Sequence, residues 1–150
     1  MYNNSVAGLH MRDSHAQKTL ADTRYNVGVK SLDAQHQTIL ETLDRLFTTV
    51  ESNKGPEAVM PILNDFLSHT RQHFSNEEEL LTRTDYPSLL THKSAHDVYL
   101  NKILIYQKNV ADGNVSFAIE RVSFFRRWFK DHILETDKLY IPFMANKDFV

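Results

Sequence analysis

The chain has 150 residues, with 17 Lys and Arg against 19 Asp and Glu and a formal net charge of −2. That length suits one domain with a substantial core, and the near-balance of charge argues against electrostatic binding of nucleic acid. There is no cysteine, which excludes a disulfide framework, a thiolate metal site and an iron–sulfur cluster.

Residues 1–24 are polar with weak periodicity and read as an N-terminal extension, either flexible or forming a short docking helix. They lack the apolar core of a signal peptide. No apolar run elsewhere is long enough to cross a bilayer, so a soluble, cytoplasmic protein with no membrane partner is expected. A first helix is predicted from a cap at Ser31 or Asp33 to about Glu51, with Ile39, Leu40, Leu43, Leu46, Phe47 and Val50 at the helical period. Gly55-Pro56 ends it and opens a second helix, from about Pro56 to Thr82, with Val59, Ile62, Leu63, Phe66, Leu67 and Phe74 inward. Pro61 falls in its first two turns, so a kink or a later start is expected. The third helix is predicted from about Pro87 to Ala111. It carries Leu89, Leu90, Val98, Leu100, Ile103, Leu104 and Tyr106, and Gly113-Asn114 stops it. Ser116 caps the fourth, which is predicted to reach about Tyr140 and end before Pro142. Long amphipathic helices on short connections make an all-α, antiparallel up-down-up-down four-helix bundle over residues 25–145, with 146–150 as a tail.

Seven residues stand out against this frame: His36, His73, Glu77, His92, His96, His132 and Asp137. They pair about the turns. The midpoint of His36 and His73 falls in Asn53-Lys54-Gly55-Pro56, that of Glu77 and His92 in Thr84-Asp85-Tyr86-Pro87, and that of His96 and His132 at Asn114. Each helical hairpin therefore returns its polar residue to the level it left. About 18 residues separate the outer pairs from their turns, roughly 27 Å of helix, and about 8 residues, roughly 12 Å, separate the middle pair from its turn. All seven side chains are expected on one plane of the bundle, nearer the Thr84–Pro87 turn.

Within helices, His73 and Glu77 are i, i+4, as are His92 and His96, so each pair shares a face. His132 and Asp137 are i, i+5, separated by about 140° on an ideal helix. That pair needs a longer reach, a local distortion, or a position for Asp137 near the helix end. Mixed imidazole and carboxylate suits iron, manganese, zinc or copper better than calcium or magnesium. Five imidazoles are too many for one ordinary ion, and carboxylates are the usual bridges between two. A dinuclear centre follows, with histidine terminal ligands. Two six-coordinate ions need twelve bonds. Imidazoles supply five, two bridging carboxylates four and one bridging oxo or hydroxo group two, which leaves one position for a small ligand. Ferritin-like carboxylate sites use Glu-x-x-His pairs, and none occurs in this chain.

Other polar residues read more simply. His69 lies off the ligand plane and His10 and His15 lie in the extension, so none is taken as a ligand. Glu78 and Glu79 read as a solvated acidic face, Asp33 as a helix cap, Tyr99 and Tyr106 as packing, and Arg126-Arg127 with Lys130 as a solvated helix face.

The pattern His, His-x-x-x-Glu, His-x-x-x-His, His-x-x-x-x-Asp resembles the hemerythrin family, in particular bacterial single-domain bacteriohemerythrins. The flanking text agrees: Val27-Gly28-Val29 ahead of Leu32-Asp33-Ala34-Gln35-His36, then His73-Phe74-Ser75-Asn76-Glu77-Glu78, then Trp128-Phe129-Lys130-Asp131-His132-Ile133. It covers about Tyr25 to Phe143 and departs at Ala21-Asp22-Thr23-Arg24, ahead of the Val-Gly motif, where the family often carries a tryptophan. The resemblance implies two non-haem irons bridged by an oxo or hydroxo group, with dioxygen as the ligand. One iron would be held by His92, His96 and His132. The other would be held by His36 and His73 and keep the open position, with Glu77 and Asp137 bridging the two. An oxygen pocket would be lined by Ile39, Phe74, Trp128 and Ile133. The expected function is reversible oxygen binding for carriage, storage or scavenging, without enzymatic turnover. The alternatives are an oxygen or redox sensor working with a signalling or redox protein, and a di-iron peroxidase or nitric-oxide-reducing enzyme.

Overall fold

A computed structural model of the protein describes residues 22–144. Four helices carry it: α1 (Lys30–Glu51), α2 (Pro56–Arg83), α3 (Leu89–Ala111) and α4 (Ala118–Glu135). A 3₁₀ turn at Thr23–Tyr25 precedes them, and a 3₁₀ turn at Asp137–Tyr140 runs into one last helical turn, Ile141–Met144. No strand occurs among the described residues. Helix α1 packs against α2 and α4, and α2 against α3, so the four close into the expected bundle.

The three connections between helices share one geometry. Each of the first three helices ends with a residue in the left-handed region: Asn53 (φ 53°), Asp85 (φ 53°) and Gly113 (φ 80°). The next amide then bonds back across the turn, Lys54 to Thr49, Tyr86 to Leu81 and Asn114 to Asn109. A second bond nests inside, Asn53 to Val50, Asp85 to Thr82 and Gly113 to Val110. This is the Schellman stop, which satisfies the last free carbonyls of a helix and reverses the chain sharply. Three such stops make short hairpins, and short hairpins keep paired residues level.

The ends of the elements correct the sequence reading in places. Neither Ser31 nor Asp33 is the N-cap of α1, which is Val29. Asp33 instead reaches back to accept from the amides of Val27 (2.6 Å) and Gly28 (3.3 Å), pinning the segment ahead of the helix. Helix α2 starts at Pro56 and runs through Pro61. Pro61 lies on an exposed face, where water can reach the carbonyl its ring leaves unpaired. Ser116 does not cap α4. The N-cap is Phe117, exposed and at φ 58° with no side-chain bond, while the Ser116 amide donates to Asn114. Helix α4 stops at Glu135 rather than near Tyr140.

Helix α3 buries His92, His96, Tyr99, Ile103, Tyr106 and Val110, alternating steps of four and three that follow one seam. Leu90, Val98 and Leu104 fall off that seam and are exposed, Leu90 by 80%. Apolar residues are scattered around this helix among polar ones, so their period alone does not say which face turns in; the bulky tyrosines and the two histidines decide it. Below the polar plane, Phe66, Tyr99 and Phe125 meet in edge-on and tilted contacts at 5.7–6.2 Å. The Tyr99 hydroxyl donates to the Phe125 carbonyl at 2.8 Å, tying α3 to α4.

Candidate metal centre

All seven residues singled out from the sequence converge in the bundle interior. His36 comes from α1, His73 and Glu77 from α2, His92 and His96 from α3, and His132 from the end of α4; Asp137 follows in the 3₁₀ turn. None is more than 6% exposed. Their nitrogen and oxygen atoms form two overlapping groups, each within 4.8 Å: His92, His96 and His132 in one, His36 and His73 in the other, with Glu77 and Asp137 in both.

The two carboxylates straddle the groups. Glu77 turns Oε1 to the Nε2 atoms of His92 (2.6 Å) and His96 (3.2 Å), and Oε2 to His73 (3.5 Å). Asp137 turns Oδ1 to His132 (3.0 Å) and His92 (3.2 Å), and Oδ2 to His36 (3.3 Å). One oxygen of each acid thus faces each pole. The i, i+5 spacing of His132 and Asp137 is reconciled by the break in α4. Thr136 (φ −112°, ψ −55°) ends the helix while its amide still bonds His132, and the tighter 3₁₀ turn swings Asp137 inward.

Outer partners set which ring nitrogen points in. The Nδ1–H groups of His36, His73 and His96 donate to the Tyr25 carbonyl, Gln35 Oε1 and Glu78 Oε1, each at 2.9 Å. Their Nε2 lone pairs are thereby left facing the centre. The buried Tyr140 hydroxyl donates to Glu77 Oε2 at 2.9 Å. Gln35, Glu78 and Tyr140 were not legible as site residues from the sequence. Glu78 corrects its reading as part of a solvated face; its neighbour Glu79 is exposed and pairs with Arg83. A signal existed only for Tyr140, an aromatic one helical step beyond Asp137. His69 is half-buried and stays outside the cluster; His10 and His15 lie outside the described residues.

The electrostatics are those of a dry cluster. Burial drives the His73 imidazole down to about 4, against the pull of Glu77. Burial also acts on His92, but the Asp137 and Glu77 carboxylates beside it outweigh it and raise that imidazole to about 9. Burial and the nearby Asp137 would raise Glu77, yet the imidazoles of His92 and His96 facing its Oε1 hold it down at about 2. Asp137 is likewise held well below the carboxylate range, with the facing imidazoles of His132, His36 and His92 overcoming burial. Burial, reinforced by the facing carboxylates, pushes the Tyr140 phenol far up.

This donor set fits metal ions. The Nε2 atoms of His36 and His73 and both Asp137 oxygens have no hydrogen-bond partner. The Nε2 atoms of His96 and His132 face one another at 3.1 Å. Orphaned buried polar atoms cost about 1–3 kcal/mol each. Two fully buried carboxylates also need positive charge, and among the described residues their ion-pair partners are imidazoles, with no Lys or Arg. Cations between the two imidazole groups would satisfy all of these atoms at once.

Aromatic and aliphatic side chains surround both groups, and Phe74 touches both, lying 5.7 Å from His73 as well as against His96. Phe74 stacks on His96 (3.6 Å, 2°), and Trp128 stacks on His132 (4.5 Å, 11°) and on Tyr99 (3.9 Å, 11°). Ile39 and Ile133 are fully buried. The aromatic set edge-on to both His36 (5.9 Å) and His73 (6.1 Å) is Phe129, which the sequence reading left out. Its place on the inward series Val122, Phe125, Phe129, His132 would have marked it.

A family model described as the hemerythrin HHE cation binding domain matches residues 27–144. The bacteriohemerythrin of Stenotrophomonas maltophilia (strain R551-3) is 29% identical over 115 residues, 77% of this chain and 74% of that protein. That of Methylococcus capsulatus (strain Bath) is 28% identical over 127 residues, 85% and 95% of the two chains. The crystal structure of a singly substituted hemerythrin superposes with a TM-score of 0.77 at 25% identity, covering 85% of this chain and 96% of that one.

Proposed function

The chain belongs to the hemerythrin family, and from that premise we propose that it binds dioxygen reversibly at a pair of non-haem irons. In this reading His92, His96 and His132 would hold one iron, and His36 and His73 would hold the other, with fewer protein ligands and so room for a small ligand. Glu77 and Asp137 would be shared between the two irons with an oxo or hydroxo group, in one domain over residues 25–145. When bound, such a pair of irons would supply the reversible two-electron chemistry that dioxygen binding needs.

The observation that carries the reading is the division of each carboxylate between the two imidazole groups. A single-ion site would gather both oxygens on one side. The rest of the chemistry lies with the chain. Tyr140 fixes the Glu77 oxygen that faces His73. The outer bonds of His36 and His73 keep their Nε2 atoms turned inward. The proposed pocket residues Ile39, Phe74, Trp128 and Ile133, joined by Phe129, would keep water and protons away from the centre. Among the described residues, no helix is long and apolar enough to cross a membrane.

The stoichiometry of gas uptake tests the proposal. Anaerobically reduced protein with its iron quantified is expected to take up one dioxygen per two irons and to return it under argon. Continuous consumption of oxygen with added reductant would point to turnover instead.

A further inference from the structure

The imidazoles of the centre are steered from outside by unlike partners. At the two-imidazole pole both acceptors are neutral: the Tyr25 carbonyl for His36 and the Gln35 amide oxygen for His73. At the three-imidazole pole the acceptor of His96 is the Glu78 carboxylate. The Nδ1 atom of His92 is buried with no partner. Among the described residues, Glu78 is thus the acidic side chain bonded to an outer nitrogen of the cluster.

A carboxylate at hydrogen-bond distance draws the Nδ1 proton toward itself and makes the opposite nitrogen a stronger donor to a cation. A neutral amide or carbonyl orients the ring equally well but polarises it less. Glu78 is placed for this role: it follows Glu77 on α2, its side chain is only 22% exposed, and it reaches across to α3. Partial burial limits the screening that solvent would impose.

We propose that Glu78 is a positioning residue that widens the inequality already set by three imidazoles against two, strengthening the grip of the His92–His96–His132 pole so that it fills first. This rests on the di-iron reading above. If Glu78 only joined α2 to α3, its charge would be immaterial.

Anaerobic titration of the metal-free chain with cobalt(II), followed by visible absorption and calorimetry, tests it. The wild-type chain is expected to take two equivalents in two resolved steps. Glu78→Gln keeps an acceptor for His96 and removes the charge; it is expected to weaken the tighter step by about 10–100-fold and to leave the other within about threefold. Gln35→Glu places a charge behind His73 and is expected to tighten the weaker step by about tenfold, an outcome independent of how well the Glu78 variant folds. Two normal steps in the wild type, with the tighter one unmoved in Glu78→Gln or both weakened equally, would overturn the proposal alone. Fewer than two equivalents in the wild type would overturn the di-iron reading with it.

Discussion

At the scale of single residues, the centre was legible because its chemistry is rare. Histidine and carboxylate at matched distances from three turns have no structural reason to recur, and all seven such residues meet in the interior. Their supports were not legible. Gln35 and Glu78 are ordinary polar residues whose role depends on the rotation of a neighbouring helix, which sequence spacing does not fix. Tyr140 shows how much such a support contributes. Its hydroxyl donates to a fully buried carboxylate oxygen, so Tyr140→Phe leaves that oxygen short of a donor. The metal-free variant is predicted to lose about 1–3 kcal/mol in urea denaturation. No measurable loss would show that Glu77 finds another partner.

At the scale of elements, helix existence followed from apolar periodicity, while the ends followed from backbone geometry. The Gly113 stop was readable because glycine is the usual residue at that left-handed position. The stops at Asn53 and Asp85 are chemically the same but carry no glycine. The break of α4 at Thr136 has no proline or glycine to announce it; it follows from the need to bring Asp137 inward. Gly113→Ala tests the turn geometry. An added Cβ would meet nothing within 4 Å, yet the φ of +80° disfavours any L side chain. The variant is predicted to be about 1 kcal/mol less stable by chemical denaturation, from backbone strain alone. Unchanged stability would mean that the connection relaxes to another form.

At the scale of the whole molecule, the cluster makes the stability of the metal-free protein depend on pH with opposing signs. His73, held at about 4 against an ordinary 6.5, contributes stability that is present above pH 6.5 and lost as pH falls toward 4. Glu77, at about 2 against 4.5, adds stability present above pH 4.5 and lost as pH falls through 2. His92, raised to about 9, contributes stability that is complete below pH 6.5 and lost as pH rises through 9. The metal-free protein is therefore predicted to be most stable near pH 6.5, with each differentially held proton changing stability by up to about 1.4 kcal/mol per pH unit on either side. Equilibrium unfolding at about pH 5, 6.5 and 8.5 checks this, and a flat profile would contradict it. Metal should also displace the proton of His92, so loading is predicted to release protons to the buffer.

The most direct test of the central claim is the visible spectrum of the two-iron protein, reduced without oxygen and then exposed to it. The account predicts a nearly colourless reduced form that gains a charge-transfer band on oxygenation and loses it on deoxygenation, over repeated cycles. Oxidation of both irons with no such band, or a band that deoxygenation does not reverse, would contradict reversible oxygen binding.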